Sequence, residues 1–377
     1  MNVIFTCGGT GGHINPAIAV ANVFRERHPD SRILFIGAAG HMEEQLVPKA
    51  GFELKCLHVA GMVRGKSFSA ITKNLKTVGH TVKAVSQCKK IIREFGADVI
   101  VGTGGYACFP ALMAGTMMGI PTCVHESNAM PGLTTRLLSG RVDRVLVCFG
   151  ESAKHYKNPE KVETVGMPVR REFIDTQRQQ ARKELGLSPD EPVVLSAFGS
   201  LGAKVMNETV AQMFALEQKE GYPFRHIHAT GKYGWQWMPE KVASCGVELS
   251  GNDRIDMREY VYNMPTVMAA ADVFISRAGA SSCNEIAASG TPSVLIPSPN
   301  VTDNHQEKNA RVLADHGGAV LLLEKDCTAE KLYAQVKALL ADRKRCGEMA
   351  SALKQIVVLD SAERICDILE SMVSGKD

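Results

Sequence analysis

A short apolar run, four glycines and a histidine open the chain. The stretch FTCGGTGGHINPA covers residues 5–17, and His13 directly follows the glycines. Glycine lacks a Cβ, so backbone N–H groups can come close to a ligand, and the N-terminus of a following helix favours an anion. Glycine also serves tight packing of a helix on a strand, so one such turn does not distinguish ligand binding from packing.

Three further glycine turns follow predicted strands. They are GTGGYACFP at 102–110, FGSLGAK at 198–204 and SRAGASSCNE at 276–285. Four such turns together favour phosphate binding. The P-loop pattern does not occur in the sequence, and the dinucleotide fingerprint fails because Ile14 stands where a Gly or Ala belongs. No D-x-D pair occurs to clamp a metal–diphosphate. We therefore expect no metal site, and we expect helix N-termini and cations to balance the charge of a bound diphosphate.

The segment 276–313 carries the strongest local signal, because its pattern predicts strand, glycine turn, helix, strand, loop and helix. The first helix would begin at 280–282 and point at phosphate, and Glu285 lies one turn in, where a carboxylate can accept both hydroxyls of a ribose. The loop that follows supplies polar groups for sugar hydroxyls: Asp303, His305 and Gln306. The alternatives are an acid stabilised by the helix dipole at 285 and ordinary helix capping at 303 and 306.

Short apolar runs alternate with helical patterns along the whole chain, which predicts an α/β fold with buried parallel strands. The predicted strands are NVIFT, RILFIG, DVIVG, PTCVHE, DRVLVCF, PVVLSAF, FRHIHATG, DVFIS, PSVLIP and AVLLLE. The pattern restarts after ETVGMPVRREF, a proline-bearing stretch that indicates a linker. We therefore predict two doubly wound, Rossmann-like domains, 1–167 and 168–359. The last segment, 360–377, has a helical pattern with no strand after it, and we expect it to pack back on the first domain.

Composition restricts the class of protein. The chain has 377 residues, of which 45% are hydrophobic and 22% are charged, which is typical of a soluble globular protein. Its eleven cysteines form no C-x-x-C pair and fit reduced thiols in a cytosol better than disulfides or a zinc site. Neither a signal peptide nor an apolar run long enough to span a membrane is evident.

The segment 54–93 contains no Asp or Glu but nine Lys and Arg, whereas the formal net charge of the whole chain is only +3. Ile71, Leu75, Val78, Val82 and Val85 form an apolar stripe at helical spacing, which favours a helix packed on the core. The basic side fits an anionic lipid surface, and no nucleic-acid motif supports the alternative of nucleic-acid binding. The predicted membrane face consists of Met62, Val63, Arg64, Lys66, Phe68, Lys73, Lys76 and Lys83.

The motifs GGTGGH, GTGGY, HESN, GMPVR and RAGASSCNEIAASGTPSVLIP…DNHQEKNA occur in the order and spacing found in the MurG family, and the resemblance covers nearly the whole chain. That family comprises the UDP-N-acetylglucosamine transferases of peptidoglycan synthesis. The resemblance implies a GT-B fold, with two Rossmann-like domains facing a cleft. It also implies UDP-GlcNAc as donor, bound mainly by the C-terminal domain, and lipid I (undecaprenyl-diphosphate-MurNAc-pentapeptide) as acceptor at the N-terminal domain.

The resemblance further implies a peripheral enzyme at the cytoplasmic face of the inner membrane, with other cell-wall synthesis proteins as candidate partners. No cofactor is implied, because UDP-GlcNAc is a substrate. The donor contacts of the family map onto Thr10, Gly11, Gly12, Asn128, Arg170, Ser200, Val261, Ala280, Ser281, Ser282, Cys283, Asn284, Glu285 and Gln306. This chain departs from the family pattern at Met167, which stands for Asn, at Leu201, which stands for Gln, and at His305, which stands for a second Gln.

Transfer from an α-linked UDP-sugar to a β-linked product inverts the anomeric carbon, which requires one base for the acceptor hydroxyl and a stabilised diphosphate leaving group. We predict that His13 acts as that base or as a hydrogen-bond organiser, with a structural helix-start histidine as the alternative. His125 and Glu126 follow a predicted strand at its carboxyl end, where sites of α/β proteins form, and they and Tyr106 are predicted to take a direct part.

Three rival functions remain open from the sequence. The first is a transferase of the same fold that acts on another acceptor, such as diacylglycerol. The second is a UDP-sugar epimerase of similar fold. A non-enzymatic sensor or scaffold is the third possibility, although such proteins often keep only one half of the fold.

Overall fold

The computed structural model describes residues 1–59, 61 and 68–375, and within them all side chains except those of 68–76, 78 and 302. The chain divides into two compact units. Unit 1 contains residues 1–169 and 358–377, and unit 2 contains residues 170–357. The units of the structure are divided at 169/170 and 357/358, whereas the sequence predicted boundaries at 167/168 and 359/360.

Unit 1 is built on a parallel sheet with strand order β3-β2-β1-β4-β5-β6-β7 among the described residues. Its strands are β1 Asn2–Thr6, β2 Arg32–Ala38, β3 Glu53–Leu57, β4 Val99–Gly102, β5 Thr122–Glu126, β6 Arg144–Val147 and β7 Val162–Thr164. Its helices are α1 Gly11–Arg27, α2 Glu43–Lys49, α3 Phe68–Phe95, α4 Cys108–Met118, α5 Leu133–Leu138 and α15 Ser361–Ser374.

Both faces of this sheet are buried, which explains its continuous apolar strands. On one face Val3 and Phe5 of β1 pack in a cluster with residues of α1 and α15. On the other face Ile4 packs in a cluster with residues of α3 and α4. The terminal helix α15 therefore belongs to the core of unit 1, where Cys366 is fully buried.

Unit 2 repeats the design with strand order β10-β9-β8-β11-β12-β13, again all parallel in the described residues. Its strands are β8 Val193–Ala197, β9 Arg225–Ala229, β10 Ile255–Arg258, β11 Val273–Ser276, β12 Ser293–Leu295 and β13 Ala319–Leu321. Its helices are α6 Glu172–Asp175, α7 Arg178–Glu184, α8 Lys204–Lys219, α9 Met238–Ser244, α10 Met264–Ala270, α11 Ala280–Ser289, α12 His305–Asp315, α13 Ala329–Ala341 and α14 Arg343–Ile356. The prediction of two doubly wound α/β domains is confirmed.

The strand order of each sheet reverses at one place, and ligands of open α/β sheets bind at the carboxyl ends of the strands there. In unit 1 the reversal lies between β1 and β4, and in unit 2 it lies between β8 and β11. All four glycine turns follow these four strands.

Helix α3 gives a mixed result for the predicted membrane face. Its buried side runs through Thr77, Ala84, Cys88 and Ile92, whereas 66% of Val82 is exposed. The prediction that Val82 belongs to a core-facing stripe is wrong. Ala84 faces the core, and Val82 lies two residues before it, which is about half a turn around the helix, so its side chain lies on the opposite side. The predicted residues Met62, Val63, Arg64 and Lys66 lie outside the described residues, as do the side chains of Phe68, Lys73 and Lys76. Lys83 is exposed.

Among the described residues, no helix combines the length and the apolar character that crossing a membrane requires.

Candidate active site

The site in unit 1 is centred on His13, in the first turn of α1. Its half-buried imidazole lies against the turn after β4, with Nδ1 3.0 Å from the carbonyl oxygen of Thr103. Because a carbonyl only accepts, Nδ1 carries the proton, and the neutral ring then has its lone pair on Nε2. The Thr103 hydroxyl donates to the carbonyl oxygen of His13 at 2.6 Å. The Thr103 carbonyl therefore orients the ring, and the hydroxyl of the same residue fixes the backbone of His13.

Glycine at 104 and 105 is required by this packing. A Cβ at Gly104 would lie 2.7 Å from Nδ1 of His13, and a Cβ at Gly105 would lie 2.4 Å from the carbonyl oxygen of Gly8. Both residues also have positive φ, of 100° and 82°. The two glycines of the turn GTGGY are therefore explained by close packing against His13 and against the first glycine turn, and not by a ligand.

The first glycine turn is only partly open to an anion. The N–H of Gly9 donates to Oε1 of Glu43 at 3.0 Å, so this amide already has an acceptor. Thr10 is the exposed N-cap of α1 and makes no side-chain cap. Gly11 and Gly12 follow it in the first helical turn, where N–H groups have no intrahelical acceptor. The predicted phosphate contact therefore rests on these last two amides.

Tyr106 lies at the same edge and is half-buried. Its hydroxyl is 2.9 Å from Nε2 of His41, and the two rings meet edge to face. Burial raises the pKa of the Tyr106 hydroxyl, and the negative charge of Glu43 raises it further. Tyr106 is thus a protonated donor at neutral pH. His41 and Glu43 were not found by sequence reasoning, because nothing in GHMEEQ marks them apart from an ordinary helix start.

His125 lies in β5 and is fully buried. Its Nε2 donates to the carbonyl oxygen of Gly166 at 2.8 Å, and burial lowers the pKa of the imidazole. The ring is therefore neutral and ties β5 to the chain before the linker. This geometry favours a positioning role over the direct role that the sequence predicted.

Glu126 lies beside His125, with 4% of its surface exposed. Its Oε1 accepts from the backbone N–H of Asn128 at 3.0 Å and from Nδ2 of the same residue at 3.1 Å. Its Oε2 accepts from the N–H of Gly132 at 2.9 Å. Both oxygens are thus used to shape the loop of the HESN motif. Glu126 orients Asn128, which the sequence placed among the donor contacts, and has the geometry of a positioning residue.

The site in unit 2 is centred on the start of α11. Its N-cap, Gly279, supplies no side-chain oxygen, so no side chain caps the amides of the first turn. The side chains of Cys283 and Asn284 are buried, and Nδ2 of Asn284 donates to the carbonyl oxygen of Ala280 at 2.9 Å. The N–H of Cys283 donates to the carbonyl oxygen of Gly279 at 2.9 Å, so the first-turn amides that lack a helical acceptor belong to the residues before Cys283. The hydroxyl of Ser281 is buried without a hydrogen-bond partner among the described residues.

Glu285, Arg170 and Tyr260 interact electrostatically in unit 2. Burial raises the pKa of the Glu285 carboxyl to about 7, and the charge of Arg170 opposes that rise. Burial, followed by the charge of Glu285, raises the pKa of Tyr260, and Arg170 lowers it. The predicted ribose acceptor and the predicted cation are thus brought together. Tyr260 was missed, although it directly precedes Val261, a predicted contact that is buried.

The other predicted donor contacts of unit 2 lie in the glycine turn after β8 and at the start of α12. Ser200 is exposed in the glycine turn after β8, next to Leu201, which is 51% exposed. Gln306 lies in the first turn of α12, and its Oε1 accepts from the N–H of Ser298 at 2.9 Å. This bond fixes the amide, so that the NH₂ group of Gln306 is the part suited to a sugar hydroxyl. Asp303 adopts a left-handed backbone conformation just before the helix, with φ of 52°.

Within the described part of the chain, no group of three or more His, Cys, Asp or Glu has the arrangement of a metal site. That the reaction needs no metal and no cofactor stays a prediction.

Comparisons with known proteins assign both units of the chain to one family. Residues 3–147 match the glycosyltransferase family 28 N-terminal domain, and residues 193–365 match the glycosyltransferase family 28 C-terminal domain. A UDP-N-acetylglucosamine–N-acetylmuramyl-(pentapeptide) pyrophosphoryl-undecaprenol N-acetylglucosamine transferase of Acetivibrio thermocellus is 40% identical over 376 residues, which are 100% of this chain and 99% of that one.

Solved structures show the same fold. The crystal structure of MurG from Acinetobacter baumannii superposes with a TM-score of 0.75 at 26% identity and covers 98% of this chain and 99% of that one. A putative UDP-N-acetylglucosamine 2-epimerase from Listeria monocytogenes superposes with a TM-score of 0.72 at 14% identity. The superposition covers 100% of this chain and 97% of that one. At that identity the likeness is one of fold alone.

Proposed function

The chain belongs to glycosyltransferase family 28, and on this premise we propose that it transfers N-acetylglucosamine from UDP-GlcNAc to the MurNAc C4 hydroxyl of undecaprenyl-diphosphate-MurNAc-pentapeptide. The observation that carries this conclusion is the 40% identity, over the entire chain, to a transferase of that name. The fold likeness to an epimerase at 14% identity has no comparable weight. The chain is accordingly a UDP-sugar-dependent glycosyltransferase of peptidoglycan synthesis.

In the proposed reaction a base removes the proton from the acceptor hydroxyl while its oxygen attacks the anomeric carbon of GlcNAc. The bond from that carbon to the diphosphate oxygen breaks, UDP leaves with the bonding electrons, and the configuration inverts. The tautomer of His13, protonated on Nδ1 against Thr103, supports Nε2 as the proton acceptor. The carbonyl of Thr103 also stabilises the imidazolium that forms.

Charge stabilisation at the leaving group is assigned to unit 2. The first-turn amides of α11 and the guanidinium of Arg170 are the groups proposed to bind the UDP diphosphate. Glu285 is proposed to accept the ribose hydroxyls, for which its ionised form is the better acceptor. Donors preorganised toward a developing charge can each contribute about 3 kcal/mol. No metal is required in this scheme.

The lipid acceptor requires access to a membrane surface. The acid-free segment 54–93 supports peripheral attachment at the cytoplasmic face of the inner membrane, since cations near an anionic surface contribute about 1 kcal/mol each. Exposed Lys83 and the exposed side chain of Val82 are consistent with such a face. Co-sedimentation with vesicles containing phosphatidylglycerol, compared with neutral vesicles and with high salt, tests this attachment.

The decisive experiment is UDP release by the purified protein with UDP-GlcNAc and a short-chain lipid I analogue. Release that depends on the analogue, together with a β-1,4-linked disaccharide product, is the expected result. UDP release without acceptor would indicate an epimerase or a hydrolase. Transfer to diacylglycerol instead of the analogue would overturn the assigned acceptor, and donor binding without turnover would indicate a sensor or scaffold.

A further inference from the structure

Glu43 is a fully buried carboxylate that no step of the proposed reaction uses. It is the first residue of α2 and lies at the carboxyl edge of the sheet in unit 1. Its Oε1 accepts from the N–H of Gly9 at 3.0 Å and from the N–H of Ala38 at 3.3 Å. One oxygen thus joins the turn after β1 to the end of β2.

The surroundings of Glu43 are shaped to its side chain. A Cβ at Gly8 would lie 3.0 Å from Oε1, and a Cβ at Gly37 would lie 3.0 Å from Cγ. The second oxygen, Oε2, is buried and has no hydrogen-bond partner among the described residues. A buried carboxylate is unfavourable unless its hydrogen bonds compensate, so packing alone does not account for an acid here.

An apolar side chain of similar size would leave the amides of Gly9 and Ala38 without an acceptor. Gly9 is one residue before the N-cap of α1, and His13 lies in the first turn of that helix. The position of Gly9 therefore determines where α1 begins and how far His13 lies from the turn after β4. Burial raises the pKa of the Tyr106 hydroxyl, and the charge of the same carboxylate raises it further.

We propose that Glu43 is a positioning residue that acts through the Gly9 amide to hold the first glycine turn, and with it His13, in place for acceptor activation. This inference rests on the proposed function. It does not make Glu43 a catalytic residue, because the carboxylate is buried beneath the turn.

Three substitutions at Glu43 separate reach from charge. Glu43→Gln keeps the length of the side chain and an oxygen acceptor, Glu43→Asp keeps the charge but withdraws it by one methylene, and Glu43→Ala removes both. If the length of the side chain is what positions the turn, kcat should fall about 100-fold in Glu43→Ala, about tenfold in Glu43→Asp and less than fivefold in Glu43→Gln. The losses are expected because small displacements of catalytic groups slow the reaction strongly. The KM for UDP-GlcNAc should rise by less than kcat falls, since the groups proposed to bind the ribose and the diphosphate are in unit 2, and only the predicted contacts Thr10, Gly11 and Gly12 lie in this turn.

The matched control is Glu44→Gln. Glu44 is the next residue, is exposed, and accepts from the N–H of Gly40 at 3.0 Å without touching the first glycine turn. Its kcat should equal that of the wild type. More activity in Glu43→Asp than in Glu43→Gln would overturn the proposal in favour of a role for the charge itself. Equal losses in kcat and in donor affinity would overturn it in favour of general damage.

Hydrogen exchange measured by mass spectrometry tests the same contact without turnover. Glu43→Ala should speed exchange in the peptide that contains Gly9 and leave the peptides of unit 2 unchanged, whereas Glu44→Gln should change neither. An unchanged Gly9 peptide would contradict the proposal. If wild type exchanges as expected but does not transfer to the lipid I analogue, the proposed function fails while this contact stands.

Discussion

Nδ1 of His13 lies 3.0 Å from the carbonyl oxygen of Thr103, and the Thr103 hydroxyl lies 2.6 Å from the carbonyl oxygen of His13. His13 lies in the first turn of α1, which follows β1, and Thr103 directly follows β4, so their reciprocal bonds fasten the start of α1 to the turn after β4 at the reversal point of the sheet. A carbonyl partner fixes the tautomer of an imidazole and its ring plane. A histidine held in this way resembles an oriented base more than a helix-start histidine that faces solvent.

His13→Ala should lower kcat for transfer to a lipid I analogue by about 10²–10⁴-fold, the usual contribution of a general base. The KM for UDP-GlcNAc should change little, because the proposed ribose and diphosphate contacts lie in unit 2. Thr103→Val keeps the carbonyl and removes only the hydroxyl, so a smaller loss of about tenfold is expected. Steady-state kinetics with both substrates varied make the comparison. Equal effects on kcat in the two variants would speak against a base at position 13.

The donor site should respond to pH through Glu285, whose pKa is raised to about 7. At pH 8 most of this carboxyl is ionised and can accept the ribose hydroxyls strongly, whereas at pH 6 most of it is protonated. We expect the KM for UDP-GlcNAc to rise about tenfold from pH 8 to pH 6. The diphosphate of UDP-GlcNAc is esterified on both sides and does not titrate in this range.

Glu285→Gln should flatten that profile at a raised KM. The control is Glu348→Gln, in an exposed pair with Lys344 at 3.8 Å, which should keep the wild-type profile. A profile that persists in Glu285→Gln would assign the pH dependence to another group. The stability of the fold changes in the opposite direction, because an acid whose pKa is raised on folding from 4.5 to about 7 destabilises the folded state as the pH rises across that interval.

Arg170 is the cation proposed to balance the charge of the UDP diphosphate. Its guanidinium lies 5.0 Å above the ring of Phe173, and its charge acts on Glu285. Arg170→Ala should raise the KM for UDP-GlcNAc about tenfold, and Arg170→Lys should raise it less, because a lysine binds phosphate as a point charge without the planar fork. EDTA should leave the wild-type rate unchanged. Loss of activity in EDTA with recovery in Mg²⁺ would refute metal independence.

The fold could be predicted wherever a strand is buried on both sides. The predicted runs NVIFT, DVIVG and PVVLSAF correspond to β1, β4 and β8, at or beside the reversal points of the two sheets. The strands that sequence reasoning missed are β3, β7 and β10, and each lies at an edge of its sheet. Their residues are mostly half-exposed, so they carry no continuous apolar run to detect.

The candidate site could be predicted where a motif fixes the backbone, and not where a side chain reaches across from another element. The motif GGTGGH identified His13 as a candidate. It gave no indication that Thr103, some 90 positions later, orients the imidazole. Likewise, the motif HESN identified Glu126. It did not indicate that both carboxylate oxygens accept hydrogen bonds from the loop that follows Glu126. Glu43 and His41 carried no signal, because their partners are set by the sheet order rather than by spacing.

A buried polar chain runs through the core of unit 2. His228 Nδ1 lies 2.7 Å from the Ser196 hydroxyl, which lies 2.8 Å from Nε2 of His226, and His226 Nδ1 lies 2.8 Å from Glu217. Burial lowers the pKa of His228 to about 3, so this ring is neutral. With Glu217 ionised, all three bonds are satisfied when His228 donates to Ser196, Ser196 donates to His226, and His226 donates to Glu217.

Ser196→Ala should therefore destabilise unit 2 by about 2 kcal/mol, because it leaves one imidazole N–H and one ring nitrogen buried without partners. The control is Ser244→Ala at the exposed end of α9, where the hydroxyl contacts only the carbonyl oxygen of Lys241, and its effect should be about 0.5 kcal/mol or less. Urea unfolding followed by hydrogen exchange of unit 2 peptides measures both. The KM for UDP-GlcNAc should be unchanged in folded Ser196→Ala, since the chain lies within the core. A neutral effect on unfolding would mean that a water or a rotated ring replaces the hydroxyl, and the continuous chain through Ser196 would then be wrong.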